Sequence, residues 1–200
     1  MASIFRYREG DTHPKPVLCD PNYAIEVGDL LFREPSNGLA RPASAMVNQG
    51  SETLNQQTFH NNFLGVALQK NGAQPGELLP LNSTVNHSPA NVIEVATTGI
   101  FEYTLAAAAT YNGGEFIGPA NAANQLQNQV VKTAIAGLAG SIGRASPAAA
   151  EIGQNATQIG APVSVGQVNV VGVEILSTVF YGGEYAIVAG SSGSSSGQLV

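Results

Sequence analysis

The sequence predicts an all-β protein: a compact β-sandwich or barrel-like domain with an extended N-terminal arm and short helical pieces. The first observation is a set of short apolar runs with a period of two, because such alternation is typical of half-buried strands. The second is the 23 glycines and 11 prolines that separate these runs. The third is the scarcity of segments with a helical period. Many short strands divided by turn residues favour a sandwich or barrel over an α/β fold.

The strands are predicted from residue 22 to residue 190. The clearest alternation runs through 92–106, VIEVATTGIFEYTLA, where Gly99 predicts a bulge or bend. The segment 163–183 has the highest β propensity because it is rich in Val and Ile. Shorter apolar runs predict the remaining strands, at 23–32, 61–68, 113–120, 128–134, 141–146 and 184–190.

Residues 1–20 are predicted to form an N-terminal arm in front of a β-rich domain at 21–190. Apolar and basic residues alternate near the start of the arm, and Pro14 and Pro16 hold the next part of the chain extended. An extended chain with this alternation cannot bury every apolar side chain on one flat surface. We therefore expect the arm to leave its own domain and add a strand to a neighbouring protein. The alternative is a disordered terminus. The residues predicted to bind the partner are Ile4, Phe5, Arg6, Tyr7 and Arg8.

Three other kinds of segment interrupt or follow the predicted strands. Short helices are predicted at 122–129 and at 147–153, the second of which begins with a proline suited to a first helical turn. Residues 45–62 are polar and aperiodic, which predicts a long loop or flap of the functional kind. Residues 191–200 are rich in Gly and Ser and are interpreted as a flexible tail.

The charge content limits the classes of partner. Charged residues make up 11% of the chain, less than half of the share of about 25% in soluble domains. The net charge is −6, and the only basic residues after Arg41 are Lys70, Lys132 and Arg144. A duplex-binding surface needs several clustered Lys and Arg side chains to displace counterions from phosphates. We therefore expect no direct nucleic-acid ligand, and a polar, weakly charged surface that suits packing against copies and partners.

The apolar segments and the single cysteine predict a protein without a membrane partner that assembles in a reducing compartment. Residues 1–16 carry charges throughout and lack the apolar centre of a signal peptide. The apolar stretch at 133–143 is too short and too rich in glycine to span a bilayer. Cys19 stands alone, which excludes an intramolecular disulfide and a cysteine-rich zinc site and predicts a packed, unreactive thiol.

No catalytic, cofactor-binding or metal-binding residue is predicted, and the chain is not expected to be an enzyme. A hydrolase needs a nucleophile beside a base, and none of the histidines, His13, His60 and His87, lies in such a motif. His13 and His60 are expected to face solvent. Glu94 and Glu102 alternate with apolar strand residues, so we interpret them as a solvated face and not as a glycosidase pair. No zinc or EF-hand pattern is present in the sequence.

Five short glycine motifs follow one another along the chain: Gly28-Asp29, Gly65-Val66-Ala67, Gly99-Ile100-Phe101, GEFI at 114–117 and IGRA at 142–145. Their order resembles that of the small β-domains of tailed-phage head decoration proteins, also called capsid cement proteins, over roughly residues 22–180. The resemblance implies a non-catalytic virion protein that binds the major capsid protein at capsomer junctions. It also implies a homotrimer that is assembled in the host cytoplasm and lies on the outer surface of the capsid. The arm, the flap and the Ser-rich tail depart from the pattern.

Two other classes of protein are compatible with parts of this pattern. A tail, baseplate or fibre component of a phage virion would share the β-rich, charge-poor composition. A cell-wall hydrolase would need a catalytic site, and the absence of a nucleophile–base motif in the sequence disfavours it.

Overall fold

Eleven strands in two sheets dominate the part of the chain that the structure describes, which confirms the predicted all-β class. The structure is a computed structural model and describes residues 6–71, 91–109, 112–146 and 168–181. In chain order the strands are β1 (Arg6–Glu9), β2 (Lys15–Leu18), β3 (Leu30–Arg33), β4 (Ala40–Pro42), β5 (Phe63–Ala67), β6 (Val92–Ala96), β7 (Thr98–Ala109), β8 (Phe116–Ala122), β9 (Gln125–Thr133), β10 (Gly143–Ala145) and β11 (Val168–Leu176). The helices are α1 (Glu52–Asn61) and α2 (Thr178–Tyr181), with 3-10 turns at Ala43–Ala45 and Gly137–Gly140.

Five strands of the larger sheet close into a ring. The hydrogen-bonded order is β1-β7-β11-β10-β8-β9, and β9 also pairs in parallel with β7. In that pairing Thr104 and Leu105 of β7 lie opposite Val130 and Val131 of β9. Because β11 occupies the other edge of β7, β1 shares an edge with β9 and lies beside residues 100–102. β1 is therefore outside the ring.

The smaller sheet is antiparallel and also closes. Its order is β2-β6-β5-β3-β4. Cys19, directly after β2, forms a parallel bridge with Ala40 of β4. The backbone N–H of Asp20 donates to the Ala40 carbonyl over 3.0 Å. The first and last strands of this sheet are thus joined.

β3 and β5 connect the sheets because their side chains alternate between two hydrophobic clusters. Leu31 and Leu64 belong to the cluster inside the smaller sheet. Phe32 and Phe63 belong to a larger cluster that the two sheets share. The larger sheet contributes buried side chains to that shared cluster, among them Phe101, Tyr103, Leu105, Ile117, Val131, Val173 and Ile175.

Gly65 creates a bulge in β5, and this bulge lets β5 contribute side chains to both hydrophobic clusters. Its φ is +139°, a backbone conformation that residues with a Cβ rarely adopt. A Cβ on Gly65 would lie 2.0 Å from the carbonyl oxygen of Ala96. The pairing of β3 with β5 shifts register at this point. The bulge places Phe63 and Val66, three positions apart, in the same cluster.

Most of the predicted strands are present. Of the predicted runs, 61–68 contains β5, 141–146 contains β10 and 163–183 contains β11. The run at 92–106 contains β6 and overlaps β7, 113–120 overlaps β8, and 128–134 overlaps β9. Gly99 has a φ of +118° at the start of β7. The prediction at 23–32 is wrong in part, because the strand begins only at Leu30 and the preceding residues are irregular, with a turn at 27–28. The predicted strand at 184–190 and the predicted tail at 191–200 lie outside the described residues.

The prediction of a loop or flap at 45–62 is wrong, because residues 52–61 form α1. Ser51 caps this helix through its hydroxyl, which accepts the backbone N–H of Leu54 over 3.2 Å. The buried residues of the helix are Asn55, Gln56 and Phe59. Two of these three are polar, so the sequence has no apolar stripe of helical period. The helix is nevertheless packed into the domain.

The predicted helix at 122–129 is also wrong. β8 ends at Ala122 and β9 begins at Gln125, with a two-residue turn between them. Ala123 and Asn124 have φ values of +48° and +66°, as in the type I′ turn that matches the twist of a hairpin. The amide-rich run after the turn is therefore a strand. The predicted helix at 147–153 lies outside the described residues.

The prediction of an arm at 1–20 that leaves its own domain is wrong for residues 6–20. β1 pairs with β7 of the larger sheet, and β2 pairs with β6 of the smaller sheet. The N-terminal segment thus gives one strand to each sheet of its own chain. Prolines and alternating charges fit an exposed edge strand as well as an arm. Residues 1–5 lie outside the described part.

Candidate interaction surface

The predicted partner-binding residues lie at the edge of the larger sheet. Arg6, Tyr7 and Arg8 belong to β1, whereas Ile4 and Phe5 are outside the described residues. β1 runs antiparallel to β7, with Arg6 opposite Glu102 and Tyr7 opposite Phe101. The register shifts between Tyr7 and Glu9, so the pairing is short and irregular. This edge, formed by β1 and residues 98–102 of β7, is the candidate interaction surface.

The chain after β1 is fastened to the point where β6 meets β7. The backbone N–H groups of Thr97 and Thr98 donate to the carbonyl oxygen of Thr12, over 2.9 and 3.3 Å. The hydroxyl of Thr97 donates to the carbonyl of His13 over 2.8 Å, and the hydroxyl of Thr98 donates to that of Asp11. Residues 11–13 therefore form a fixed anchor directly after β1.

A cleft of about 220 Å³ lies beside Gly10, the residue between β1 and this anchor. Gly10 has a φ of +95°. Asp11 and Glu174 line the cleft together with apolar and small residues of β7 and β11. Glu174 is exposed and lies opposite Ile100 in the register of β11 with β7. Two carboxylates, of Asp11 and Glu174, thus line the cleft, and Glu174 also lies opposite Arg144 in the register of β10 with β11.

Asp29 is the centre of a buried polar cluster between the two sheets. Its carboxylate accepts hydrogen bonds from the Glu26 backbone N–H at 2.9 Å, the Asn128 amide at 3.3 Å and the Gln129 amide at 2.8 Å. Burial raises the pKa of Asp29 above its usual value, although the hydrogen bonds from Glu26 and Gln129 oppose the shift. The cluster ties the start of β3 to β9. The sequence analysis did not predict this polar cluster. The one sequence feature that marks the cluster is the Gly28-Asp29 motif before an apolar run.

Tyr103 adds a second polar group to the same region. Its side chain is buried, and its hydroxyl has no hydrogen-bond partner among the described residues. Burial, and then the negative charge of Asp29, raise the pKa of Tyr103 well above its usual value. A phenol with so high a pKa stays protonated at neutral pH.

The contribution of Asp29 to the stability of the fold should increase as the pH falls through the pKa of this carboxyl. That pKa is higher in the folded than in the unfolded chain, so the folded state holds the proton more tightly. Urea unfolding of the wild type and of Asp29→Asn, which does not titrate, should show the wild type gaining stability relative to the variant as the pH is lowered from 7 toward 3.8. The exposed-carboxylate control Glu94→Gln should keep the wild-type pH dependence. A constant difference between the wild type and Asp29→Asn would contradict the prediction.

Arg41 is held in an ion-pair network of the smaller sheet. Its Nε donates to Asp20 at 2.8 Å and its Nη1 to Glu34 at 2.7 Å. The guanidinium also lies 4.9 Å from the ring centre of Tyr23. The backbone N–H of Asn22, and then Arg41, hold the pKa of Asp20 below its usual value. With both carboxylates engaged, the network is a structural clamp on β4 and does not present a free cation to a ligand.

The two histidines in the described part of the chain, His13 and His60, belong to different segments: His13 lies between β1 and β2, and His60 lies in α1. His13 is exposed, as expected, and its Nε2 lies 3.3 Å from the Asp11 carboxylate. His60 was expected to face solvent but is half-buried in α1, and its Nδ1 lies 2.6 Å from the Ser141 carbonyl, to which it can only donate. His87 lies outside the described residues. Within the described ranges, no three His, Cys, Asp or Glu side chains come together as metal ligands. No helix in those ranges is long and apolar enough to cross a membrane.

Cys19 should react slowly with thiol reagents in the folded protein. It is buried inside the smaller sheet, and burial raises the pKa of its thiol to about 11. At pH 8 the reactive thiolate is then roughly one part in a thousand. We expect the reaction with a disulfide reagent to be roughly 100-fold slower, or more, in the folded protein than in urea. Equal rates in buffer and in urea would contradict the burial of this side chain.

Comparisons with known proteins identify no relative. No protein-family model, no curated protein and no solved structure matches the chain.

Proposed function

We propose that this protein is a non-enzymatic structural component of a tailed-phage virion, a decoration or cement protein that binds the major capsid protein at capsomer junctions on the outer surface of the head. The observation that carries the proposal is the ordered series of glycine motifs and the positions that these motifs take in the fold. Self-association as a homotrimer and assembly in the host cytoplasm are parts of the same proposal.

Each motif glycine lies where the backbone or the packing requires glycine. Gly28, Gly65, Gly99 and Gly114 all have φ values between +88° and +139°. In the fifth motif, a Cβ on Gly143 would lie 2.0 Å from the carbonyl oxygen of Glu174. The glycines of the five motifs are therefore required by the backbone or the packing of this fold. This supports the use of the order of the five motifs as a marker of the decoration-protein fold, which the resemblance assumes.

The low charge supports the same function. A protein that packs against a shell must remove water from its contact surface, and removing water from charges costs more free energy than removing it from neutral groups. A surface of Asn, Gln, Ser and Thr keeps this cost low while remaining hydrated before assembly. Many copies on one shell then add weak contacts through high effective concentration.

Separation of heads from tails tests the proposal. Full and empty heads that lack tails, and free tails, would be purified from one lysate of the phage, and the chain quantified in each by mass spectrometry. We expect it in both kinds of head and not in tails. Its presence in tails alone would favour the alternative, a tail, baseplate or fibre component. Its absence from every particle would contradict both structural functions.

A further inference from the structure

We propose that the turn between β3 and β4 carries a modification site: Asn37 loses its side-chain amide spontaneously and becomes aspartate or isoaspartate. Asn37 is followed by Gly38, and this is one of three Asn-Gly pairs in the sequence, which begin at residues 37, 71 and 112. The proposal is independent of the proposed function, because the reaction needs only water and the chain itself.

The reaction joins the backbone nitrogen of Gly38 to the side chain of Asn37. The nitrogen attacks Cγ of Asn37 and gives up its proton to water, and the side-chain Nδ2 leaves as ammonia. Water then opens the resulting succinimide ring at either carbonyl, which gives aspartate or isoaspartate. The net change is that amide and water become carboxyl and ammonia. Glycine is the most favourable residue after the asparagine, because it has no Cβ to hinder the approach of its nitrogen.

The surroundings of Asn37 favour this attack. Asn37 and Gly38 are exposed, so water reaches the reacting atoms. The backbone N–H of Leu39 donates to Oδ1 of Asn37 over 3.0 Å. This oxygen becomes negative when the nitrogen attacks Cγ, and a backbone N–H directed at a developing oxyanion stabilises it. No described residue accepts a hydrogen bond from Nδ2 of Asn37, so the leaving group is not held in place.

The attacking residue, Gly38, lies in open space. It has a φ of +75°, and no atom lies within 4 Å of a Cβ at that position. Its N–H donates to the carbonyl oxygen of Glu34 over 2.8 Å, and this hydrogen bond must open before the nitrogen attacks. In an exposed turn, water replaces the lost partner, so the opening costs little net free energy.

The other two Asn-Gly pairs are held against the reaction. The amide of Asn71 is fixed at both atoms: Oδ1 accepts the Ile25 N–H over 2.7 Å, and Nδ2 donates to the Tyr23 carbonyl over 2.7 Å. The Nδ2 of Asn112 donates to the Glu115 carboxylate over 2.6 Å. A hydrogen bond from Nδ2 to an anion adds electron density to the amide, which makes Cγ less electrophilic and retains the leaving group.

Timed peptide mapping of the folded protein tests the proposal. The protein would be kept at mildly alkaline pH in water enriched in heavy oxygen, then digested after glutamate, which places the three asparagines in separate peptides. Each deamidation adds one heavy oxygen, and fragmentation spectra distinguish isoaspartate from aspartate. We expect Asn37 to react at least about tenfold faster than Asn71, because the two hydrogen bonds of the Asn71 amide must break first. A rate at Asn37 no higher than that at Asn71 or Asn112 would overturn the proposal.

The same measurement in urea separates structure from sequence. Unfolding removes the contacts of all three asparagines, so their rates should become similar. If Asn37 kept its full advantage in urea, the contacts of the folded chain would not be its cause, and the structural argument would fail.

Two variants test the chemistry at single residues. Glu115→Ala removes the acceptor of the Asn112 amide and should raise the rate at Asn112 while leaving the rate at Asn37 unchanged. Gly38→Ala should slow the reaction of Asn37 at least about tenfold, because the new Cβ hinders the attacking nitrogen. An unchanged rate at Asn37 in Gly38→Ala, or at Asn112 in Glu115→Ala, would contradict the assigned roles. The outcome does not depend on where the chain is found in a virion, so failure of this proposal and failure of the proposed function are distinguishable.

Discussion

Replacement of Gly65 by alanine should lower the free energy of unfolding by about 4 kcal/mol or more. The added Cβ would lie 2.0 Å from the Ala96 carbonyl oxygen, an atom of the backbone that cannot rotate away. The φ of +139° adds strain for any residue with a Cβ. Relief would require β5 and β6 to separate, and β5 is one of the two strands that join both hydrophobic clusters. Urea unfolding followed by circular dichroism measures the loss.

Gly38→Ala is the matched control for this prediction. Gly38 also has a positive φ, +75°, but no atom lies within 4 Å of a Cβ at that position. Its replacement should cost only the backbone strain, about 1–2 kcal/mol. Equal losses in Gly65→Ala and Gly38→Ala would show that the close approach of β5 to β6 is wrong.

Phe59→Ala should lower the free energy of unfolding by about 3–5 kcal/mol. Phe59 lies in α1 and is fully buried. Its ring centre is 6.0 Å from that of Phe32 and 5.7 Å from that of Phe63, so truncation leaves a cavity in the shared cluster and removes two aromatic contacts. A side chain in a surface flap would have no such effect. Thermal and urea unfolding both report the change.

Leu54→Ala, in the same helix, separates packing from helix formation. Leu54 is 48% exposed, and leucine and alanine have similar helix propensities, so its truncation should change stability by less than about 1 kcal/mol. If Phe59→Ala were as mild as Leu54→Ala, α1 would not be packed into the domain.

The strands that the sequence predicted correctly are those in which alternation follows burial. In β6, Ile93 and Val95 are buried and Glu94 is exposed, as a period of two requires. Such strands have one face in the core and one in water, and the sequence records that division directly. The order in which strands pair, and the closure of both sheets, depend on contacts distant in sequence and could not be predicted in this way.

The elements that were missed bury polar side chains through hydrogen bonds. Gln56 is fully buried, yet its amide donates to the Pro119 carbonyl at 3.0 Å and accepts the Ile135 backbone N–H at 2.9 Å. Asp29 is buried against three donors in the same manner. A buried polar residue has the sequence signature of an exposed one, because its partner is known only when the chain has folded. The loop prediction at 45–62 and the omission of the Asp29 cluster have this common cause.

The N-terminal residues show a different limit. Apolar and basic residues near the start, followed by prolines, indicate an edge strand that can pair, but they do not specify the edge. The structure places β1 on β7 and β2 on β6 of the same chain. A strand at the edge of its own sheet has the same sequence pattern as a strand that pairs with a sheet of another protein.

A cryo-electron microscopy map of the mature head tests the central claim, decoration of the capsid, most directly. The account predicts extra density outside the major capsid protein at the junctions between capsomers. That density should accommodate two closed sheets joined through β3 and β5, in groups of three copies. A map in which the capsid shell carries no such density, while the same two-sheet unit fits into the tail or baseplate, would contradict the account.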